Sequence, residues 1–324
     1  MINYYPKKKY ILQKNYKIIK NIKYNNNYDH IILFHIGTEN INPEILLSIQ
    51  RLIDKVSNYL IIITAIKSIN IKILLNSYNK FFLLISNNLI FVQTINKGMD
   101  IGGFYIGLNL IKLYDIDYKF ITKIHTKTNK IWCNNLLEIY NQEYLEKEFN
   151  KFQYNQDLSY QSYKCSTVLD NLNRDIITFV SSINNINIKF LYKLRDEILH
   201  LNNNFIDLDF FKKRVYDIDI KKNKISDDVI MNNFNYFKNN NKNTLDIFNP
   251  IVYHKLKENI PFFNAGSIAT YKKCVIDKLI DFIPLSIYEN FPINYSSNTN
   301  LNESTILHSI ERFLGIIEFI IKKY

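Results

Sequence analysis

The stretch Asn96-Lys97-Gly98-Met99-Asp100-Ile101-Gly102-Gly103-Phe104 stands between two apolar segments of the chain. The 324 residues include seven glycines, and four of these lie between positions 98 and 107. Residues 89–92 predict a strand before the stretch, and residues 104–113 predict a helix after it. Because glycine has no Cβ atom, its backbone can approach a ligand closely. A strand, a glycine turn and a helix N-terminus in this order predict a phosphate-binding element of an α/β fold.

The alternation of strand and helix extends in both directions from this stretch. Residues 31–36 and 59–63 are continuous apolar runs, which are typical of strands buried in a parallel sheet, and residues 118–124 predict a further strand. Helical spacing predicts helices at 43–56, 66–80, 132–145, 168–182, 188–200, 271–282 and 303–323. We expect an α/β fold with a mostly parallel sheet flanked by helices, and a largely helical middle and C-terminal part. Ligands of such a sheet bind at the carboxyl ends of its strands.

The composition is that of a chain able to bury a sizeable core, with 47% hydrophobic residues. The net charge of +11 comes mainly from lysines scattered along an Asn- and Ile-rich chain, which favours a solvated surface over a nucleic-acid partner. No apolar run reaches the roughly 18 residues of a transmembrane helix, and residues 1–9 lack the apolar core of a secretory signal. The three widely spaced cysteines predict free thiols in a reducing compartment. Together these features predict a cytoplasmic protein.

The glycine stretch matches neither of the common phosphate-binding fingerprints. Its spacing differs from that of the dinucleotide motif, and it lacks the Gly-Lys-Ser/Thr of a P-loop. Asp100 at the mouth of the turn is suited to a hydrogen bond with a base or a ribose rather than with phosphate. The alternative is a packing turn, in which the glycines bring a helix and a sheet close together.

His125-Thr126-Lys127 follows directly on the strand predicted at 118–124. At the carboxyl end of a parallel strand, these residues face the ligand crevice. His125 and Lys127 would supply hydrogen-bond donors and positive charge to a diphosphate without a metal ion. The alternative for His125 is a purely structural histidine.

Acidic residues offer two further candidates. Three Asp-x-Asp pairs could hold Mg²⁺ or Mn²⁺, but the sequence favours solvated turns; the pairs are Asp115/Asp117, Asp207/Asp209 and Asp217/Asp219. In the last predicted helix, His308, Glu311 and Arg312 share one face. Glu311 there is either a general base or the partner of Arg312 in an intrahelical ion pair.

Four stretches together resemble the rhamnan synthesis protein F family. They are Asn96-Lys97-Gly98-x-Asp100-Ile101-Gly102-x-Phe104, Tyr118-x-Phe120-Ile121-x-Lys123-Ile124-His125-Thr126-Lys127-x-x-x-x-Trp132, Phe263-x-Ala265-Gly266-Ser267 and His308-x-x-Glu311-Arg312-Phe313-x-Gly315. The family comprises glycosyltransferases and related proteins of polysaccharide assembly, and similar domains occur in proteins of large DNA viruses. The resemblance covers most of residues 30–135 and 260–317.

The resemblance implies a GT-A-like fold built from one domain with additions. Residues 1–29 would form a basic arm or an edge element, and residues 30–150 the half that binds a nucleotide sugar. Residues 151–249 would form a largely helical insertion that varies within the family, and residues 250–324 the acceptor-side half. The implied location is the cytoplasm of a host cell, or a virion.

The resemblance also implies a reaction and a set of site residues. A sugar would move from a nucleoside-diphosphate donor to a hydroxyl of a glycan or glycoprotein acceptor, with Glu311, His125 and Lys127 in catalytic roles. The implied donor-binding residues are Asn96, Lys97, Gly98, Asp100, Gly102, Gly103, Thr126 and Gly266. His125-Thr126-Lys127 replaces the metal-binding Asp-x-Asp of most GT-A enzymes, which argues against Mg²⁺ or Mn²⁺ as a cofactor. The alternatives are a catalytically inactive glycan- or nucleotide-binding module of the same fold and, from charge alone, a nucleic-acid-binding protein; residues 1–29 and 151–249 are possible homo-oligomer interfaces.

Overall fold

The computed structural model describes residues 16–21, 26–161, 164–166, 262–264, 268–293 and 306–323. These residues fall into two compact units. The first unit holds residues 16–21, 26–161 and 268–293, and the second holds residues 164–166, 262–264 and 306–323.

Between residues 27 and 125, helices separate the described strands from one another. The strands are β1 (Tyr16–Lys20), β2 (Asn27–Ile36), β3 (Tyr59–Ile66), β4 (Leu89–Thr94), β5 (Asp117–His125), β6 (Ser159–Tyr160), β7 (Lys164–Ser166), β8 (Phe262–Asn264) and β9 (Ala269–Lys272). The helices are α1 (Pro43–Lys55), α2 (Ile71–Ser77), α3 (Asn79–Leu84), α4 (Met99–Leu113), α5 (Lys130–Leu137), α6 (Gln142–Tyr144), α7 (Asn150–Tyr154), α8 (Lys273–Phe282) and α9 (Ile306–Lys323). Short 3-10 segments lie at Ser86–Asn88, Glu138–Tyr140 and Leu285–Asn290, and a π-helical turn lies at Leu145–Phe149.

The first unit is built on a seven-stranded sheet with the order β1-β4-β3-β2-β5-β9-β6. Strands β4, β3, β2 and β5 are mutually parallel, whereas β1 and β9 run antiparallel to their neighbours. The chain visits the parallel strands from the middle outward to β4 and then crosses to the other side of β2. This order defines a Rossmann-like α/β sheet with a topological switch point between β2 and β5. The α/β prediction with a mostly parallel sheet is therefore confirmed.

Both faces of the sheet are covered, which explains the continuous apolar runs of its strands. Odd-numbered side chains of β2 face α4, where Gly103 approaches His35 and Gly107 approaches Leu33. Even-numbered side chains face the opposite layer, in which the Phe149 ring lies 6.0 Å from the His30 ring. The sheet core is therefore closed on both sides by residues of the first unit.

A chain of buried hydrogen bonds crosses the face opposite α4. His30 Nε2 lies 2.6 Å from Thr122 Oγ1, which lies 2.6 Å from Thr270 Oγ1. The Tyr140 hydroxyl lies 3.1 Å from the same Thr270 oxygen. These bonds tie β2, β5 and β9 together, so that β9 is held by side chains as well as by its backbone pairing.

The second unit contains the short antiparallel pair β7–β8 and helix α9. In α9, Ile310, Phe313, Leu314 and Ile317 are all buried. The helix packs against β8, which accounts for its apolar side. The predicted amphipathic helix at the end of the chain is confirmed from Ile306 onward.

Several element boundaries differ from the sequence-based predictions. The predicted arm at 1–29 contributes edge strand β1, and β2 begins at Asn27. The helix predicted at 66–80 is two short helices that continue through the apolar run at 81–85, and the helix predicted from Trp132 is broken into several turns. Most important for the site, α4 begins at Met99 rather than at Phe104.

Two further predictions concern the acceptor-side part of the chain and the middle helices. The predicted acceptor-side part at 250–324 is divided between the two units. The helices predicted at 168–182 and 188–200 lie outside the described residues. Within the described part of the chain, no helix is both long enough and apolar enough to cross a membrane.

Candidate functional site

The loops that follow β2 and β5 meet at the topological switch point. The Thr126 amide donates to the His35 carbonyl at 3.0 Å, and the Gly37 amide donates to Thr126 Oγ1 at 2.8 Å. Thr126 therefore ties the two strand ends together. Ligands of open α/β sheets bind in the crevice at this position, which makes it the candidate site.

Three polar side chains stand in one row at the carboxyl ends of the central strands. His35 is in register with Thr64 of β3 on one side and with His125 of β5 on the other. His35 Nδ1 lies 2.9 Å from Thr64 Oγ1. Both histidines are buried, with 7% and 4% of their surface exposed. Burial lowers the pKa of His35 to about 4, an effect that Asp100 partly opposes and Lys123 reinforces, so this imidazole is neutral at neutral pH.

Asp100 in the first turn of α4 lies against the end of β5. Its Oδ2 is 2.5 Å from Lys123 Nζ and 3.5 Å from His125 Nε2. Lys123 is 1% exposed, and its ammonium also lies 5.9 Å from the centre of the Phe104 ring. Burial alone would raise the pKa of Asp100, but His125, Lys123 and Lys127 outweigh it and hold that pKa well below its ordinary value. Asp100 is therefore an ionised carboxylate already engaged by Lys123.

Among the described residues, the strand end carries two lysines, Lys123 and Lys127, beside the carboxylate of Asp100. The buried His125 lies next to them. Lys127 is half-buried and acts on Asp100 through space. A positive field in a partly buried crevice is suited to an anion such as a phosphate group.

The glycines of the 96–104 stretch have two different roles. Gly98 has a φ of +73° and precedes Met99, whose φ is +49°. Gly102 and Gly103 lie inside α4. A Cβ atom at Gly102 would overlap the Lys97 carbonyl, and one at Gly103 would overlap the His35 ring and Thr64 Oγ1. These contacts are those expected for the packing alternative. The absence of a side chain lets α4 pack against the Lys97 carbonyl at Gly102 and against strands β2 and β3 at Gly103.

Lys97 contacts the 3-10 segment at Leu285–Asn290. Its Nζ donates to the Glu289 carbonyl at 2.8 Å and lies 3.7 Å from Glu289 Oε2. Lys97 as a whole residue is 8% exposed. Asn96 beside it is half-buried.

Other predicted site residues lie elsewhere. Glu311 belongs to α9 in the second unit, where it is half-buried beside the buried Arg312, and Gly266 lies outside the described residues. Asp115 and Asp117 lie at the amino end of β5, where both are exposed and Asp117 pairs with Lys273 at 2.7 Å. The remaining Asp-x-Asp pairs, Asp207/Asp209 and Asp217/Asp219, lie outside the described residues.

The structure adds three residues that sequence reasoning did not single out. His35 and Thr64 each stand near the end of an apolar run, and Lys123 lies two positions before His125 on the same side of β5. A polar residue near the carboxyl end of a predicted parallel strand is the signal that would have found all three.

The described residues contain no group of three or more His, Cys, Asp or Glu side chains arranged to hold a metal ion. Comparison with protein-family models, with curated proteins and with solved structures found no match to this chain. The likeness to the rhamnan synthesis protein F family therefore stays a prediction from the quoted motifs, while the fold class is a Rossmann-like α/β unit.

Proposed function

We propose that the chain is a glycosyltransferase that takes its sugar from a nucleoside-diphosphate donor, with the diphosphate at the carboxyl ends of β2 and β5. One observation carries the proposal: at the switch point of a Rossmann-like sheet, Lys123 and His125 lie 2.5 and 3.5 Å from Asp100, and Lys127 acts on the same carboxylate through space. Positive charge at this position matches a diphosphate in both location and sign.

In this reaction an acceptor hydroxyl attacks the anomeric carbon of the sugar. The bond from that carbon to the diphosphate oxygen breaks, and the leaving group carries away the electron pair. Lys127 and His125 stabilise the charge that develops on the diphosphate. The acceptor proton goes to a base, for which Glu311 remains the candidate from the sequence.

A thermal-shift experiment tests the binding step. We expect at least one of the uridine, guanosine, adenosine and thymidine diphosphates to raise the melting temperature, because a ligand at 100 times its Kd stabilises the folded state by about 2.7 kcal/mol. Lys127→Met should abolish the shift, while Lys130→Met, a change at an exposed lysine nearby, should preserve it. A panel in which no nucleotide shifts the melting temperature would refute the proposed site.

A turnover experiment separates the enzyme from the second candidate, an inactive binding module. That candidate is favoured by His125-Thr126-Lys127, which stands where most GT-A enzymes carry a metal-binding Asp-x-Asp. Release of the nucleoside diphosphate from its sugar conjugate, lost in Glu311→Gln, would support the enzyme. Binding without release, with or without Mn²⁺, would support the module.

A further inference from the structure

The segment Leu285–Ile293, here called the strap, lies across the start of α4. The Gly98 amide donates to the Pro292 carbonyl at 2.9 Å. Lys97 and Ile293 form an antiparallel backbone bridge. The strap thus holds the two residues that precede α4 through backbone contacts.

Aromatic packing adds to these backbone contacts. The Phe291 ring lies 5.3 Å from Tyr105 of α4 and 5.5 Å from Tyr288 of the strap. Phe291 also fills the space that a Cβ atom at Gly98 would need. Phe291 and Tyr288 are both buried, so the strap packs against the first two turns of the helix.

Lys97 joins the two segments with a charged group. Its ammonium donates to the Glu289 carbonyl and lies 5.2 Å from the centre of the Tyr288 ring. At 8% exposure, the side chain is committed to the strap. A lysine in this state gives little of its surface to a ligand in the crevice.

The backbone between Lys97 and Asp100 is in an unusual conformation. Gly98 and Met99 both have positive φ values, +73° and +49°. For a side-chain-bearing residue such as Met99, this region is costly and persists when the surroundings enforce it. These two residues turn the chain so that Asp100 reaches Lys123 and His125.

We infer that Lys97 is a positioning residue, which fastens the strap over Gly98-Met99 and so fixes Asp100 at the ends of the strands. Lys97 then acts on the crevice through Asp100, in contrast to the donor contact expected from the sequence. The fastening is a property of the unliganded chain, and only its effect on ligand affinity rests on the proposed function.

Amide hydrogen exchange of the unliganded protein tests the inference. In Lys97→Met, we expect the amides of Gly98 and Gly102 to exchange about tenfold faster, the factor that corresponds to the loss of one net hydrogen bond. The matched control is Lys272→Met, because Lys272 also donates to a carbonyl, that of Asn155, and lies 5.5 Å from an aromatic ring centre, that of Phe152. The control should leave both amides unchanged.

The affinity for inorganic pyrophosphate is a second measurement that tests the inference. Lys97→Met should lose pyrophosphate affinity together with the faster exchange. Unchanged exchange at Gly98 and Gly102 would overturn the inference, even if affinity fell, because it would make Lys97 a direct ligand contact. Should Lys97→Met fail to fold, Phe291→Leu loosens the strap against Gly98 and Tyr105 while Lys97 is kept. Unaltered Gly98 exchange in that variant would overturn the inference, because it would show that the strap does not hold Gly98.

Discussion

Lys123 Nζ and Asp100 Oδ2 lie 2.5 Å apart and join the carboxyl end of strand β5 to the first turn of helix α4. The lysine is buried, and the carboxylate side chain is 19% exposed. The pair therefore links β5 to α4 beside the candidate crevice and neutralises part of the charge there. Its strength can be measured through either partner.

Lys123→Met is expected to destabilise the protein by about 3 to 5 kcal/mol, because it leaves the Asp100 charge without its nearest partner. The double variant Lys123→Met/Asp100→Asn should recover much of this loss, since it removes both charges. Urea denaturation of the two single variants and the double variant measures the coupling. Strictly additive effects would show that the pair contributes no interaction of its own.

The neutral state of His35 predicts a loss of stability in mildly acidic solution. The unfolded chain binds a proton near pH 6.5, whereas folded His35 does so near pH 4. The contribution of neutral His35 to the free energy of unfolding is therefore complete above pH 6.5. It is lost as the pH falls toward 4, which lowers the free energy of unfolding by about 3 kcal/mol. Unfolding free energies at several pH values should show a shallower slope in His35→Asn. An unchanged slope would mean that folding does not lower the pKa of His35.

Asp100 predicts a second, lower pH window. Its pKa in the folded state lies well below the ordinary 3.8, so its contribution is present above pH 3.8 and is lost as the pH falls through the folded value. In Asp100→Asn, the free energy of unfolding should depend less on pH below 3.8, while its pH dependence above pH 4, which comes from His35, should persist. Unfolding free energies measured across both pH ranges check this. Loss of both limbs together would show that the two groups titrate as one unit.

Gly103→Ala is expected to disturb the crevice more than Gly107→Ala does. The added methyl at position 103 would overlap the buried His35 ring and Thr64 Oγ1, at a cost of about 1 to 3 kcal/mol. At position 107 it meets the methyl groups of Leu33 at 2.9 Å, and the helix-forming preference of Ala offsets part of that crowding.

Two measurements compare the glycine variants: thermal unfolding and binding of inorganic pyrophosphate. Gly103→Ala should weaken binding beyond its effect on stability, because it displaces His35. Equal losses of affinity in both variants would indicate a general effect of α4 packing rather than a local effect on His35.

The sheet was predictable because its physical cause is local. Buried parallel strands need apolar side chains on both faces, and the runs at 31–36 and 59–63 show this directly in the sequence. The position of His125 at the carboxyl end of β5 followed from the same pattern and is confirmed.

The contacts that define the site were not predictable in the same way. Lys97 and Glu289 are 192 residues apart, and no periodicity reports on such a contact. The start of α4 at Met99 depends on a backbone conformation that local propensity disfavours. The strap, which is distant in sequence, enforces this conformation by direct contact. The sequence placed Asp100 in a turn before the helix, whereas it lies in the first turn of α4, and its pairing with Lys123 was missed.

The insertion of β9 between β5 and β6 has a consequence for how the chain is made. Ala269–Lys272 can pair with β5 only after the ribosome has added the residues that follow His125, which at 5 to 20 residues per second takes on the order of ten seconds. During that interval the apolar strand β5 presents an open hydrogen-bonding edge. Until β9 arrives, that edge is open to pairing with a strand of another nascent chain.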